Sequence, residues 1–452
     1  MKEVRILSPC GMLGYGFPEG SFRRGMEAEP HAIVVDAGST DAGPHKLGAG
    51  VSIVSRRALK KDLEMMISHG VPAKVPIIIG SAGGAGAKVH VESTVDVIRE
   101  ILGEKGLSVK LAIIWADIAK EQVKEAFQNG KVMQMSPNVP DLTEKRILET
   151  NGIVAQMGHG PILEALEGGA EIIICGRAYD PSPFAAVGIF HGKDAGLSYH
   201  LGKILECGAL CAEPGTTKDS ILGTIKDDCF TVRSLNPSRI CTKISVAAHT
   251  FYEKEHPFLL HGPGFLLDLS DCRFTELGEG EVEVSGSRYI PAEQHSIKLE
   301  GARKTSYRTV VFAGIRDPIL LKNIQDIELQ VEKQVYAYYP EISRESYQIR
   351  FYNYGMNAVL GRRETEAFSG HEIGVLLEVT AETQELASSI CATARSTFLH
   401  YGHEGRKSTA GNLAFPFAPS DVECGPVYEF SVYHLMEISE SPFKIEYRQE
   451  GA

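Results

Sequence analysis

The 452-residue chain has no uninterrupted run of about 18 apolar residues, the length a membrane-crossing helix needs. A membrane is therefore not an expected partner. Its start, MKEVRILSPCGML, lacks the basic and then apolar block of a secretory signal, so a cytoplasmic location is expected. Positive charge is scarce, with 46 Lys and Arg against 58 Asp and Glu and a formal net charge of -12. With no basic stripe interleaved with aromatics, nucleic acid is not an expected partner either. The nine cysteines are scattered, odd in number and free of C-x-x-C spacing. That pattern argues against a disulfide framework or a structural zinc site and for reduced thiols. No H-x-x-x-H pair offers zinc spacing, and no Walker A loop is present.

What is there begins with length, which exceeds the roughly 250–300 residues at which single cores stop growing, so two or three domains are expected. Continuous apolar runs at 4–7, 32–36, 75–80, 109–115, 152–158 and 170–176 alternate with 3.6-period segments such as ESTVDVIREIL. Buried strands separated by helical crossovers imply an α/β domain over 1–215 with a doubly wound, mostly parallel sheet. Short Thr/Val/Tyr-rich runs predict an antiparallel β section over 216–320. The order helix, strand, strand, helix, strand then predicts a C-terminal α+β domain over 321–452, with a ferredoxin-like unit as the specific form.

Ligands of open parallel sheets bind beyond the carboxyl ends of the strands, so the residues just after each strand carry the functional reading. These are Asp36, Ser39 and Asp41 after AIVVD, the loop Gly80, Ser81, Gly83 and Gly84 after VPIII, His159 after GIVAQMG, and Arg177 with Asp180 after IIICG. The glycine loop before a helix would suit a phosphate or carboxylate, or would be a tight turn packed on a neighbouring strand. Arg177 would grip a carboxylate bidentately, or form a structural pair with Asp180. Asp36 and Asp41 would act as base and acid, hold a divalent cation, or cap loops; His159 would shuttle protons. GYGFPEG at 14–20 with Asp36 has the spacing of a dinucleotide site, but the segment after it, with Gly25 and Pro30, makes the required helix doubtful. Among the thiols Cys207 stands out, since Glu206 and Cys207 lie on a predicted helix pointing back toward the domain, although an inert buried role is the commoner one.

The motifs DAGSTDAGPHKLG, IIIGSAGGAGA, CGRAYDPSPFAA, HLGKILECGALC, KLEGA and TAGNLAFPFAPSD appear in this order along the chain. Together they resemble the acyclic terpene utilisation (AtuA-type) family. The similarity is to a branch of about this length, usually encoded beside a small partner protein and not clearly tied to terpene catabolism. The positions matching the family's motifs include Asp36, Ser39, Asp41, Gly80, Gly83, Gly84, Arg177, Asp180, Glu206 and Cys207. Members are often labelled lyases, so the resemblance and the strand-end residues together imply a catabolic enzyme of lyase, hydratase or isomerase type. It would catalyse proton transfer on a small carboxylic acid or its acyl-CoA thioester, as a homo-oligomer. No cofactor is clearly indicated, a divalent metal being one option. The alternatives are a non-catalytic acyl- or metabolite-binding subunit of a complex with the small partner, and a nucleotide-dependent oxidoreductase.

Overall fold

The computed structural model describes residues 2–38, 43–252, 256–406 and 411–451. It divides into two compact units, one made of 1–303 and 429–452 and the other of 304–428. In the first, a ten-stranded sheet has five parallel strands at its centre. Their spatial order is Val4–Ser8, Ala32–Asp36, Ile77–Gly80, Ile172–Cys175 and Ser108–Ile114. Successive side chains on a strand point to opposite faces, and here both faces are covered. Ile6, Val34, Ile78 and Ile173 pack with Phe184, Leu201 and Ile204, whereas Leu7, Val35, Ile79 and Ile174 pack with Leu63, Met66 and Ile98. That double burial is why these strands read as unbroken apolar runs.

The sheet differs from the expected one in being mixed. Ile221–Ile225, Cys229–Ser234, Glu281–Ser285 and Arg273–Gly278 extend it antiparallel from the Val4–Ser8 edge, and Ile445–Gly451 pairs antiparallel with Ser108–Ile114 at the other. An edge strand exposes unpaired backbone groups, and these additions cover both parallel edges. Much of the antiparallel section expected over 216–320 is thus part of the same sheet. One of the six expected strands, Gly152–Ala155, lies outside it and pairs antiparallel with Leu299–Ala302. An apolar run encodes burial, not the identity of the partner strand.

The helix made doubtful by Gly25 and Pro30 does form, over Glu19–Glu27, and begins on the last two residues of GYGFPEG. Gly25 is no breaker there: a Cβ on it would lie 2.5 Å from Leu7 and 2.9 Å from Leu235, so the glycine permits close helix–sheet packing.

The second unit follows the order strand, helix, strand, strand, helix, strand. Ile373–Ala381 pairs antiparallel with Tyr347–Tyr354 on one side and with Tyr307–Ile315 on the other. The helices Ile324–Tyr338 and Gln384–His400 bury Val331, Val335, Ile390 and Ala394 against it.

Candidate functional site

The five parallel strands finish at one edge of the sheet, and at that edge the chain fills its own anion positions. The helix Lys88–Lys105 follows the glycine loop, and its N-cap, Ala87, supplies no side-chain bond. Asp117, just beyond Ser108–Ile114, accepts the Lys88 N–H instead; burial raises its pKa and that bond works against the rise. The Gly14 and Gly16 turn behaves alike, since Asp62 Oδ2 accepts from Gly14 N at 2.8 Å and Gly16 N at 3.0 Å. The dinucleotide-like motif does lead into a helix, yet its backbone N–H groups already hold a carboxylate.

The glycines of the loop serve close packing. Gly86 has φ +65°, and a Cβ there would sit 2.1 Å from Arg177 N. Added Cβ atoms would lie 2.7 Å from His90 at Gly83, 2.9 Å from Ile53 at Gly84, and 3.2 Å from Asp36 Oδ1 at Gly80. Ser81, buried and at φ +48°, accepts from Arg177 Nη1 at 2.9 Å and from Ala178 N at 3.1 Å.

Arg177 is 1% exposed and meets a carboxylate that the sequence reading did not single out. Glu300 takes Arg177 Nε at 3.0 Å and Nη2 at 3.4 Å, while Nη1 reaches Asp180 Oδ1 at 3.0 Å. Lys298 Nζ, at 3.0 Å, and Gln156 Nε2, at 3.0 Å, complete the ring around Glu300. Burial works to raise the Glu300 pKa, but Arg177 and Lys298 outweigh it and hold it at about 2. The fork geometry foreseen for a ligand is therefore made with the chain's own Glu300. Only a local signal marked it: two charges at alternate positions, Lys298 and Glu300, alternating with buried Ile297 and Leu299.

Asp36 ends a strand of four buried apolar residues and inherits their burial. Its pKa stands well above the ordinary carboxylate value, first from burial and then from the charge of Asp180; Arg177 opposes the rise and Glu206 adds to it. Glu206 is buried against Lys203, Nζ to Oε1 2.6 Å, and the Asp180 side chain is 34% exposed. Asp36, Asp180 and Arg177 thus meet as strand topology predicts, joined by Lys203 and Glu206. Ser39 and Asp41 lie outside the described residues. Cys207 Sγ contacts Tyr252 Oη at 2.9 Å, and burial beside Glu206 pushes its thiol up to about 12, unsuited to nucleophilic attack at neutral pH.

Beside this cluster a pocket of about 500 Å³ is lined by Gln156, Tyr179, Phe265, Ser296, Lys298 and Leu435, among others. Its Pro263 and Gly264 turn abuts Gly158 and His295, so the residue preceding His159 in the chain borders it. Burial and then His295 lower the His159 pKa. His159 Nδ1 lies 2.9 Å from Tyr199 Oη. Among the described residues no three His, Cys, Asp or Glu side chains form a metal-holding group, and no helix is long and apolar enough to cross a membrane.

No curated protein matches the chain, and no solved structure does. The profile of the acyclic terpene utilisation family protein AtuA matches residues 56–411, a span that contains Ser81, Arg177, Asp180, Glu206 and Glu300 and begins after Asp36. The chain that gathers these groups at one sheet edge belongs to the acyclic terpene utilisation family AtuA.

Proposed function

We propose that the chain is an enzyme that moves a proton on a small carboxylic acid or its acyl-CoA thioester, in a lyase, hydratase or isomerase type of reaction. The carrying observation is Asp36, a buried carboxyl at a strand end whose proton is held by burial and by the charge of Asp180. Perturbed carboxyls beside a cavity are what acid–base chemistry requires. Lys298, the cation that lines the pocket, receives the substrate's anionic end or thioester carbonyl. The partly exposed Asp180 takes the proton. Arg177 holds Asp180 and Glu300 in place.

The family name points to acyclic terpene utilisation, and the apolar side of the pocket, with Leu259, Phe265 and Leu435, supports a hydrocarbon-bearing acid. The β-α-β-β-α-β order of the second unit likewise supports a ferredoxin-like reading of it.

The test needs no known product. The full chain is incubated in D2O with a panel of small carboxylic acids and their coenzyme A thioesters, and deuterium entering each substrate is followed by NMR. Exchange into at least one substrate is expected, falling by about 10² or more in Asp180→Asn. Undiminished exchange in a folded Asp180→Asn protein would overturn the assignment, as would its absence across the panel.

A further inference from the structure

We propose that Tyr199 fixes His159 as a neutral imidazole with its proton on Nε2, so that His159 donates a hydrogen bond to substrate and does not act as the base. This rests on the proton-transfer reading above and divides its labour. Tyr199 sits on the helix Ala195–Leu205, 1% exposed, its ring 4.1 Å from Phe265 and 5.9 Å from Tyr289. Three polar groups surround its Oη: His159 Nδ1 at 2.9 Å, His159 N at 3.3 Å and Ser182 Oγ at 3.4 Å.

A phenol has one proton to donate and two lone pairs with which to accept. The His159 backbone N–H can only donate, so it takes one lone pair. The phenol proton goes to the shorter of its two remaining contacts, Nδ1 of His159 at 2.9 Å against Ser182 Oγ at 3.4 Å, and this assignment makes the Ser182 hydroxyl the donor to the second lone pair. Burial raises the Tyr199 pKa, which keeps that proton on the phenol. An imidazole that accepts at Nδ1 carries its own proton at Nε2.

Nε2 makes no hydrogen bond among the described residues. The electrostatic neighbour of the ring is His295, and burial lowers the affinity of His159 for a second proton. The result is a neutral N–H donor beside the pocket, the form in which an imidazole polarises a carbonyl without protonating it outright. The base of the reaction is then a carboxylate. Tyr199 is a positioning residue, since it acts through His159.

The experiment reads the tautomer directly. The full chain is labelled with ¹⁵N-histidine, His159 is assigned by its loss in His159→Gln, and long-range ¹H–¹⁵N correlations report which ring nitrogen is protonated. The wild-type ring is expected in the Nε2–H form, Ser182→Ala is expected to keep it, and Tyr199→Phe is expected to give a mixture with a shifted titration. A wild-type Nδ1–H ring overturns the proposal even if Tyr199→Phe does not fold. An unchanged tautomer in folded Tyr199→Phe overturns it equally. Because none of this requires turnover, failure here is distinct from failure of the deuterium exchange test. Where exchange is found, Tyr199→Phe should slow its maximal rate and leave KM near wild type.

Discussion

At the residue scale, buried charge is present in paired form, and each pair makes a demand that can be measured. Removing the charge of Glu300 leaves Arg177 inside the protein with a diminished counter-charge. Glu300→Gln should therefore cost about 3–5 kcal/mol of stability, read as a lower denaturant midpoint. Glu328 is a different case. It accepts from Asn353 Nδ2 at 2.9 Å, and burial raises its pKa from the ordinary 4.5 to about 7. Folded and unfolded chains both hold this proton below about 4.5, only the folded chain holds it between about 4.5 and 7, and neither holds it above. The folded state binds more protons in that window, so this group's contribution to stability falls as pH rises through it. Glu328→Gln should flatten that slope and melt above the wild type at pH 8, a comparison made by calorimetry across pH. Asp36 was legible as a strand-ending acid, whereas Glu300 was not, because its partner Arg177 is 123 residues away and spacing rules do not span such distances.

At the scale of elements, strands were legible where burial on both faces left unbroken Ile and Val runs, as in IIIG and IIIC. Their partners were not: Gly152–Ala155 has the same texture and pairs elsewhere, with Leu299–Ala302. Helix Glu19–Glu27 is doubtful in the sequence partly because of Gly25, since a glycine that breaks and a glycine that packs look identical until Leu7 and Leu235 are in place. The glycine loop sharpens the same lesson into a prediction. Gly86→Ala would force a Cβ to within 2.1 Å of Arg177 N and should unfold or severely destabilise the first unit. At Gly16, with φ +83° and nothing within 4 Å, the same change should cost only about 1 kcal/mol. Thermal melts of the two variants side by side check it.

At the scale of the whole molecule, the nine cysteines are all free, and Cys424 is the one in the exposed class. Scattered spacing had already argued against a disulfide framework. A thiol reagent should accordingly titrate about one group quickly in the native protein and all nine after denaturation, with no change in melting temperature on adding reductant. The division into a unit of 304–428 and a unit made of the rest places every described member of the candidate site in the latter. Asp62 on the Gly14 and Gly16 turn and Asp117 on the Lys88 N–H act as built-in stoppers. Trimming either to alanine should leave a socket that formate or phosphate from the buffer can plug, restoring in the melting curve much of what the truncation removed.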